Sequence, residues 1–185
     1  MAREGKRALM VRAVAFLRGI NVGGHVVKKE ELLQAFVSLG YQNAVTYKQS
    51  GNVIFETNEA ELEATRGVIE EKLRKVLGFD VVVFVRTFGQ LREVAKVGSH
   101  LQWGEGTSMM VTLLPGSTPE PLPILPLTIP KSTAKITSAT GSEVFSLTHG
   151  GGEGGMPNQF LESKLKAKTT SRNMNVILEI LQKYG

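Results

Sequence analysis

The pattern of apolar and polar positions in the first half of the chain switches between two periods. Val11 to Leu17 is an apolar, partly β-branched run, which reads as a buried strand. It stops at Arg18-Gly19 and passes through Gly23-Gly24 before a helical pattern starts near Lys28. There Leu32, Leu33, Phe36, Val37 and Leu39 fall on one broad face, and Gly40 closes the helix. From Ala44 to Glu56 two β-rich runs flank Ser50-Gly51, the signature of a hairpin. Period two puts Val45, Tyr47 and Gln49 on one face and Thr46 and Lys48 on the other. Asn58, with Glu61 three residues on, starts a second helix whose stripe is Leu62, Ile69, Leu73 and Val76. Acidic residues occupy its first turn and Lys72, Arg74 and Lys75 its last, as the helix dipole favours, and Gly78 ends it. Phe79 to Val85 is apolar on both faces, which predicts a central strand. The order βαββαβ is that of the ferredoxin-like α/β plait.

The second half is less regular. Thr87-Phe-Gly-Gln90 has capping-box spacing and opens a short helix through Leu91, Val94 and Ala95, and Met109 to Leu114 is strand-like. Six of the seven prolines fall between Pro115 and Pro130, which forces extended backbone and denies a regular helix or central strand. This reads as a connector pinned to a surface by Leu122, Ile124, Leu125 and Leu127. Ile136 to Thr148 forms a second hairpin around Gly141-Ser142, and the five glycines between His149 and Gly155 predict a flexible run. A short helix from Pro157 or Asn158 carries Phe160, Leu161 and Leu165 and is broken by Lys166 to Ser171. The last helix, from about Asn173 to Tyr184, turns Met174, Ile177, Leu178 and Leu181 inward. The expected fold is α+β: a frayed tail (1–10), a ferredoxin-like domain (11–86) and a second, smaller plait-like α+β half (87–185) containing the proline-rich connector 115–130. No sequence repeat joins the halves strongly enough to indicate duplication.

Composition narrows the chemistry. With 42% apolar and 21% charged residues, the chain has ordinary globular usage. The net charge of +5 comes from scattered positions, which fits solubility better than a nucleic-acid stripe. The absence of cysteine excludes disulfides, thiol chemistry and thiolate metal sites, and three separated histidines lack metal-ligand spacing. Neither a cofactor nor a metal is expected. No apolar run approaches the roughly 20 residues of a membrane helix, and the N-terminus has no signal-peptide pattern, so the expectation is a cytoplasmic protein without a membrane partner.

Three stretches are more specific than this. Val14-Ala-Phe-Leu-Arg-Gly-Ile-Asn-Val-Gly-Gly24, Tyr47-Lys-Gln-Ser-Gly-Asn-Val-Ile-Phe55, and Phe160-Leu-Glu-Ser-Lys-Leu165 with the polar residues 169–175 resemble the bacterial domain-of-unknown-function 1697 family. The resemblance runs from Met10 onward and implies two plait-like α+β domains with no established activity. Family members tend to show a Gly-rich turn followed by Ser/Thr-Lys-Leu, whereas Met156-Pro157 stands near that place here. They also read Thr-Thr-Arg-Asn-Trp-Asn, whereas here Ser171 intervenes and Met174 replaces the tryptophan. A family-wide ligand site at the junction of the halves would be weakened on its second side by these changes.

Candidate ligand residues fall in three clusters. Arg18 offers a fork for phosphate or carboxylate, while Gly23 and Gly24 let backbone amides approach it and Asn21 orients the ligand. Against this, the glycines suit a tight turn and Asn21 a left-handed residue, and G-x-x-x-G-G is neither a nucleotide-binding P-loop nor a dinucleotide fingerprint. At the hairpin tip, Gln49 joins Tyr47 on a sheet face that suits RNA stacking, although aromatic residues are only 6% of the chain. Thr169, Thr170, Arg172, Asn173 and Asn175 exceed what capping one helix requires, which points to an anion at the last helix. No nucleophile or acid–base pair stands out: Ser50 and Ser171 lack a linked histidine, and His25 suits a solvated loop. The reading that follows is a binder of a small anionic or phosphate-bearing ligand between the halves, with Arg18 and Arg172 as charge partners and Asn21, Gln49 and Asn173 as orienting groups. A nucleic-acid-binding module and an enzyme of unidentified chemistry are the alternatives. Oligomeric state is left open.

Overall fold

The computed structural model describes residues 9–21, 23–24, 26–48, 51–101, 103–149 and 157–185. The expectations for the N-terminal tail up to residue 8, for His25, Gln49 and Ser50, and for the glycine-rich run 150–156 lie outside them. The chain divides into two compact units, Met1–Phe88 and Gly89–Gly185, so the second is the longer and not the smaller.

Unit one contains β1 (Met10–Arg18), α1 (Lys29–Ser38), β2 (Val45–Tyr47), β3 (Asn52–Asn58), α2 (Leu62–Leu77) and β4 (Val82–Thr87). Its four strands lie in the order β2-β3-β1-β4, every neighbouring pair antiparallel. Strand β4 is therefore an edge strand, not the central one that its apolar sequence predicts. Its neighbour β1 takes the centre, and β4 is apolar on both faces because Val83 and Phe84, which point opposite ways, are both buried. Ala13, Ala15 and Leu17 of β1 pack with Leu32, Ala35 and Phe36 of α1 and with Ile69 and Leu73 of α2. Phe36, Tyr41 and Phe55 close this core as a tilted aromatic trio, with ring centroids 4.8–6.0 Å apart. Residues on the opposite face, Val14, Phe16, Ile54 and Phe84, are buried as well. The centre of this sheet thus offers no exposed aromatic platform among the described residues.

The helices follow their sequence signals closely. The Asn58 side chain accepts from Ala60 N–H at 3.2 Å, opening a 3-10 turn that runs into α2. Gly78 ends α2 in the left-handed conformation at φ +78°. The buried stripes are slightly rotated: Ala35 replaces Val37 in α1, and Thr65 replaces Val76 in α2. Thr65 earns its burial through a 3.0 Å hydroxyl–hydroxyl bond to Thr57 of β3.

Unit two contains α3 (Phe88–His100, beginning at the last residue of unit one), β5 (Thr107–Leu113), β6 (Leu127–Thr128), β7 (Lys135–Ala139), β8 (Glu143–His149), α4 (Pro157–Leu165), β9 (Thr170–Asn173) and α5 (Met174–Tyr184). Its sheet order is β6-β7-β8-β5-β9, again antiparallel throughout. Set β6 aside, and the order of β5, β7, β8 and β9 repeats that of β1 to β4. The proline-rich stretch stands where unit one has α1. It carries no helix, as proline dictates, but it does supply the two-residue edge strand β6. Leu122 and Leu125 pack on the core of Ile136, Val144, Leu161 and Leu165, whereas Ile124 points to solvent at 94% exposure instead of being pinned. Helix α3 is longer than its sequence signal suggests, and β9 occupies residues expected to be a break. No helix among the described residues is long and apolar enough to cross a membrane.

One glycine is required by crowding as well as by conformation. Gly51 has φ +70°, and a Cβ there would lie 2.6 Å from Ile20 Cδ1 and 3.0 Å from Leu17 Cβ. Gly67, inside α2, has open space around it and no positive φ. Gly51→Ala is expected to destabilise unit one by about 1–3 kcal/mol, and Gly67→Ala to stabilise it by about 0.5–1 kcal/mol. Urea denaturation midpoints of the two variants check this; equal midpoints would show that the Gly51 turn is not tight.

Candidate functional site

A cleft of about 540 Å³ opens in unit one between the β1–α1 loop and the β2–β3 hairpin. Both walls are set by backbone geometry. After β1, Gly19 and Asn21 take positive φ (+86° and +56°), and the Asn21 side-chain oxygen accepts from Val27 N–H at 3.0 Å, closing the loop on itself. Gly23 and Gly24 also have positive φ, with open space where a Cβ would stand, so conformation and not crowding selects glycine there. On the other wall, Leu17 N–H donates to Gly51 O at 2.7 Å, and buried Asn52 donates from its side chain to Tyr47 O at 3.0 Å. Lys48 sits between these anchors at φ +54°, its ammonium 5.6 Å from the centroid of the Tyr47 ring.

The floor of the cleft is apolar, formed by Ile20, Val27 and Leu32, and Val26 stands on its wall at 79% exposure. Lys28, Lys29 and Lys48 rim it, with Glu30 as the one carboxylate in the lining, so the site is cationic. Just before α1, Lys28 N–H donates to the Glu31 carboxylate at 3.2 Å. The cationic groups in the lining are the ammoniums of Lys28, Lys29 and Lys48. A second cleft, of about 530 Å³ along α2 and β4, mixes Arg66 and Arg74 with Glu70, Glu71 and Asp80. Its Glu70 accepts from Val83 N–H at 2.8 Å and pairs with Arg66, which leaves no net positive field. Among the described residues no cluster of three or more His, Asp or Glu side chains suits a metal ion.

Of the residues singled out by sequence, Asn21 lines the cleft, and Gly23 and Gly24 lie in the loop that bounds it. Arg18, at the end of β1, alternates to the sheet face opposite the α1–α2 core. Gln49 lies outside the described residues. Arg172 and Asn173 belong to unit two. Lys28, Lys29, Lys48, Thr46 and Val26 were not singled out, although lysines immediately flanking a glycine loop and a hairpin tip are a readable charge signal.

In unit two, most of the polar cluster is engaged in holding the fold. Thr169 N–H donates to Glu162 of α4 at 2.8 Å, and its hydroxyl donates to Asn158 O at 3.3 Å. Ser171 shares a buried 2.7 Å hydroxyl bond with Thr112 of β5. Asn173 caps α5, accepting from Asn175 N–H at 2.9 Å. Arg172 donates to the Thr170 hydroxyl at 2.8 Å and to Ser171 O at 2.9 Å. Burial lowers its guanidinium to about 10, well above neutrality, so it stays cationic at a desolvation cost. Met174 is buried, its Cε filling the space where a Gly98 Cβ would stand.

A family model described as a protein of unknown function, DUF1697, matches residues 10–145. The chain belongs to the DUF1697 family. The match includes the whole cleft of unit one and ends inside β8, before the polar cluster of this DUF1697 protein at 169–175. Its structure is similar to that of a conserved bacterial protein, SP0830, from Streptococcus pneumoniae, with TM-score 0.59 and 19% identity over 94% of this chain and 98% of that one. At that identity the likeness concerns the fold. A comparison with curated proteins finds no match.

The Ser171 hydroxyl is expected to be structural. Ser171→Ala leaves the buried Thr112 hydroxyl without its partner and should cost about 1–3 kcal/mol, whereas adding Thr112→Val should recover part of that loss. Denaturation of the two single variants and the double variant checks this; strict additivity would contradict it.

Proposed function

We propose that this DUF1697 protein binds a small anionic or phosphate-bearing ligand, and that the cleft of unit one holds it. The observation that carries this reading is the combination of a concave, apolar-floored space with three lysines and one carboxylate on its rim. Lys28 and Lys29 are placed by the start of α1, and Lys48 by the left-handed turn after β2, so their backbones are fixed before any ligand arrives. Asn21 is held by its bond from Val27 N–H without any ligand. In the same reading both units are ferredoxin-like plaits, supported by the shared strand order β2-β3-β1-β4 and β7-β8-β5-β9. Arg172 and Asn173 enter this proposal only as stabilisers of unit two, and Arg18, on the opposite sheet face, has no part in it.

Calorimetric titration with phosphorylated metabolites, nucleotides and short RNAs tests the reading. At least one phosphorylated small molecule is expected to bind, with Lys28→Ala and Lys48→Ala each weakening it about tenfold, worth about 1.4 kcal/mol. Raising salt from 50 to 200 mM should weaken it modestly, because the rim is open to solvent. Failure of every phosphorylated compound to bind would overturn the proposal. Preferential RNA binding with a steep salt slope would favour the nucleic-acid alternative.

A further inference from the structure

The cleft carries more information than its sign of charge. Lys28, Lys29 and Lys48 against Glu30 leave a net of two positive charges on the rim, which matches a dianion better than a carboxylate monoanion. A phosphate monoester carries a charge of about −1.5 to −2 at neutral pH. Yet a bare phosphate would leave most of a 540 Å³ space empty, with Ile20, Val27 and Leu32 facing it. Pockets of roughly 300–1,000 Å³ suit a whole small organic ligand. The decisive residue is Val26. It lies in the lining, is 79% exposed, and directly precedes the floor residue Val27. An apolar side chain on the wall of a cationic cleft gains from a ligand that covers it.

Resting on the anion-binding reading above, we propose that the ligand is a phosphate monoester with a small apolar body. Its phosphate lies among the ammoniums of Lys28, Lys29 and Lys48. Its apolar body lies over Ile20, Val27 and Leu32, against Val26. Thr46, half-buried in the same lining, supplies a hydroxyl beside the apolar floor. The recognition is thus split between a charge-reading rim and a shape-reading floor, and the two halves can be tested separately.

The experiment uses the full chain and four probes: inorganic phosphate, phenyl phosphate, benzoate and benzyl alcohol. Phenyl phosphate is expected to bind about tenfold more tightly than inorganic phosphate, benzoate more weakly than phenyl phosphate, and benzyl alcohol not measurably. Val26→Ser, at an exposed position where folding is not at stake, should weaken phenyl phosphate about three- to fivefold and leave inorganic phosphate unchanged. Lys48→Ala should weaken both phosphates. Equal affinity for the two phosphates, or an unaltered phenyl phosphate affinity in Val26→Ser, would overturn the apolar half while leaving anion binding intact. No binding of either phosphate would overturn the inference together with the anion reading beneath it.

Discussion

Leu17 donates its amide proton to the carbonyl of Gly51 across 2.7 Å, and the geometry around this bond governs the end of unit one that carries the cleft. The bond joins the end of the central strand to the tip of the β2–β3 hairpin. It requires a residue without a Cβ at position 51, since Ile20 and Leu17 already fill the space. Because β1 is the centre of the sheet and is buried on both faces, its end is a rigid post. Gly51 is tied to that post, and Asn52 beside it holds Tyr47 O, which places Lys48. The β1–α1 loop leaves the same post and is closed by Asn21 on Val27. Both walls of the cleft thus derive from one strand end, and the cationic rim is assembled by short-range geometry.

The two units obtain the same strand order by different local means. In unit one an amphipathic helix covers the sheet between its first two strands, held by Leu32, Ala35 and Phe36. In unit two six prolines forbid that helix, and an extended segment lays Leu122 and Leu125 on the core in its place. Leu122 and Leu125 are three residues apart, the period of polyproline-type extended backbone, so both meet the core while Ile124 between them faces solvent. What a helix covers with a stripe, the proline-rich segment covers with isolated anchors. The cleft of unit one needs the β1–α1 loop, and a unit without α1 has no counterpart of Lys28 and Lys29 at a helix start.

Sequence periodicity made the elements of unit one legible because each has a strong local signal: a β-branched run, an amphipathic stripe, an asparagine cap, a glycine stop. It misplaced β4 because an edge strand buried on both faces has the same composition as a central one. It overlooked β9 because Thr170, Ser171 and Arg172 are polar, and their pairing with Val111, Thr112 and Leu113 is a long-range fact that no local pattern encodes. The site was half-legible. The glycine loop and Asn21 stood out by their residue types, but the cleft's charge comes from lysines at ordinary helix-start and turn positions. Gly51 looked like any turn glycine, since the crowding that requires it comes from Ile20 and Leu17, some thirty residues away in sequence. The polar excess at residues 169–175 suggested a ligand because three separate structural duties, to α4, to β5 and to α5, share one short segment.

Native-state amide hydrogen exchange at Leu17 tests the tie between strand and hairpin most directly. If the Gly51 carbonyl holds that amide as part of the rigid core, Leu17 will exchange with an opening free energy within about 1 kcal/mol of that of Ala15, through global unfolding of unit one. Exchange of Leu17 orders of magnitude faster than Ala15 would show that Gly51 is not anchored to the strand, and the cleft would then lack the fixed walls on which the proposed anion site depends.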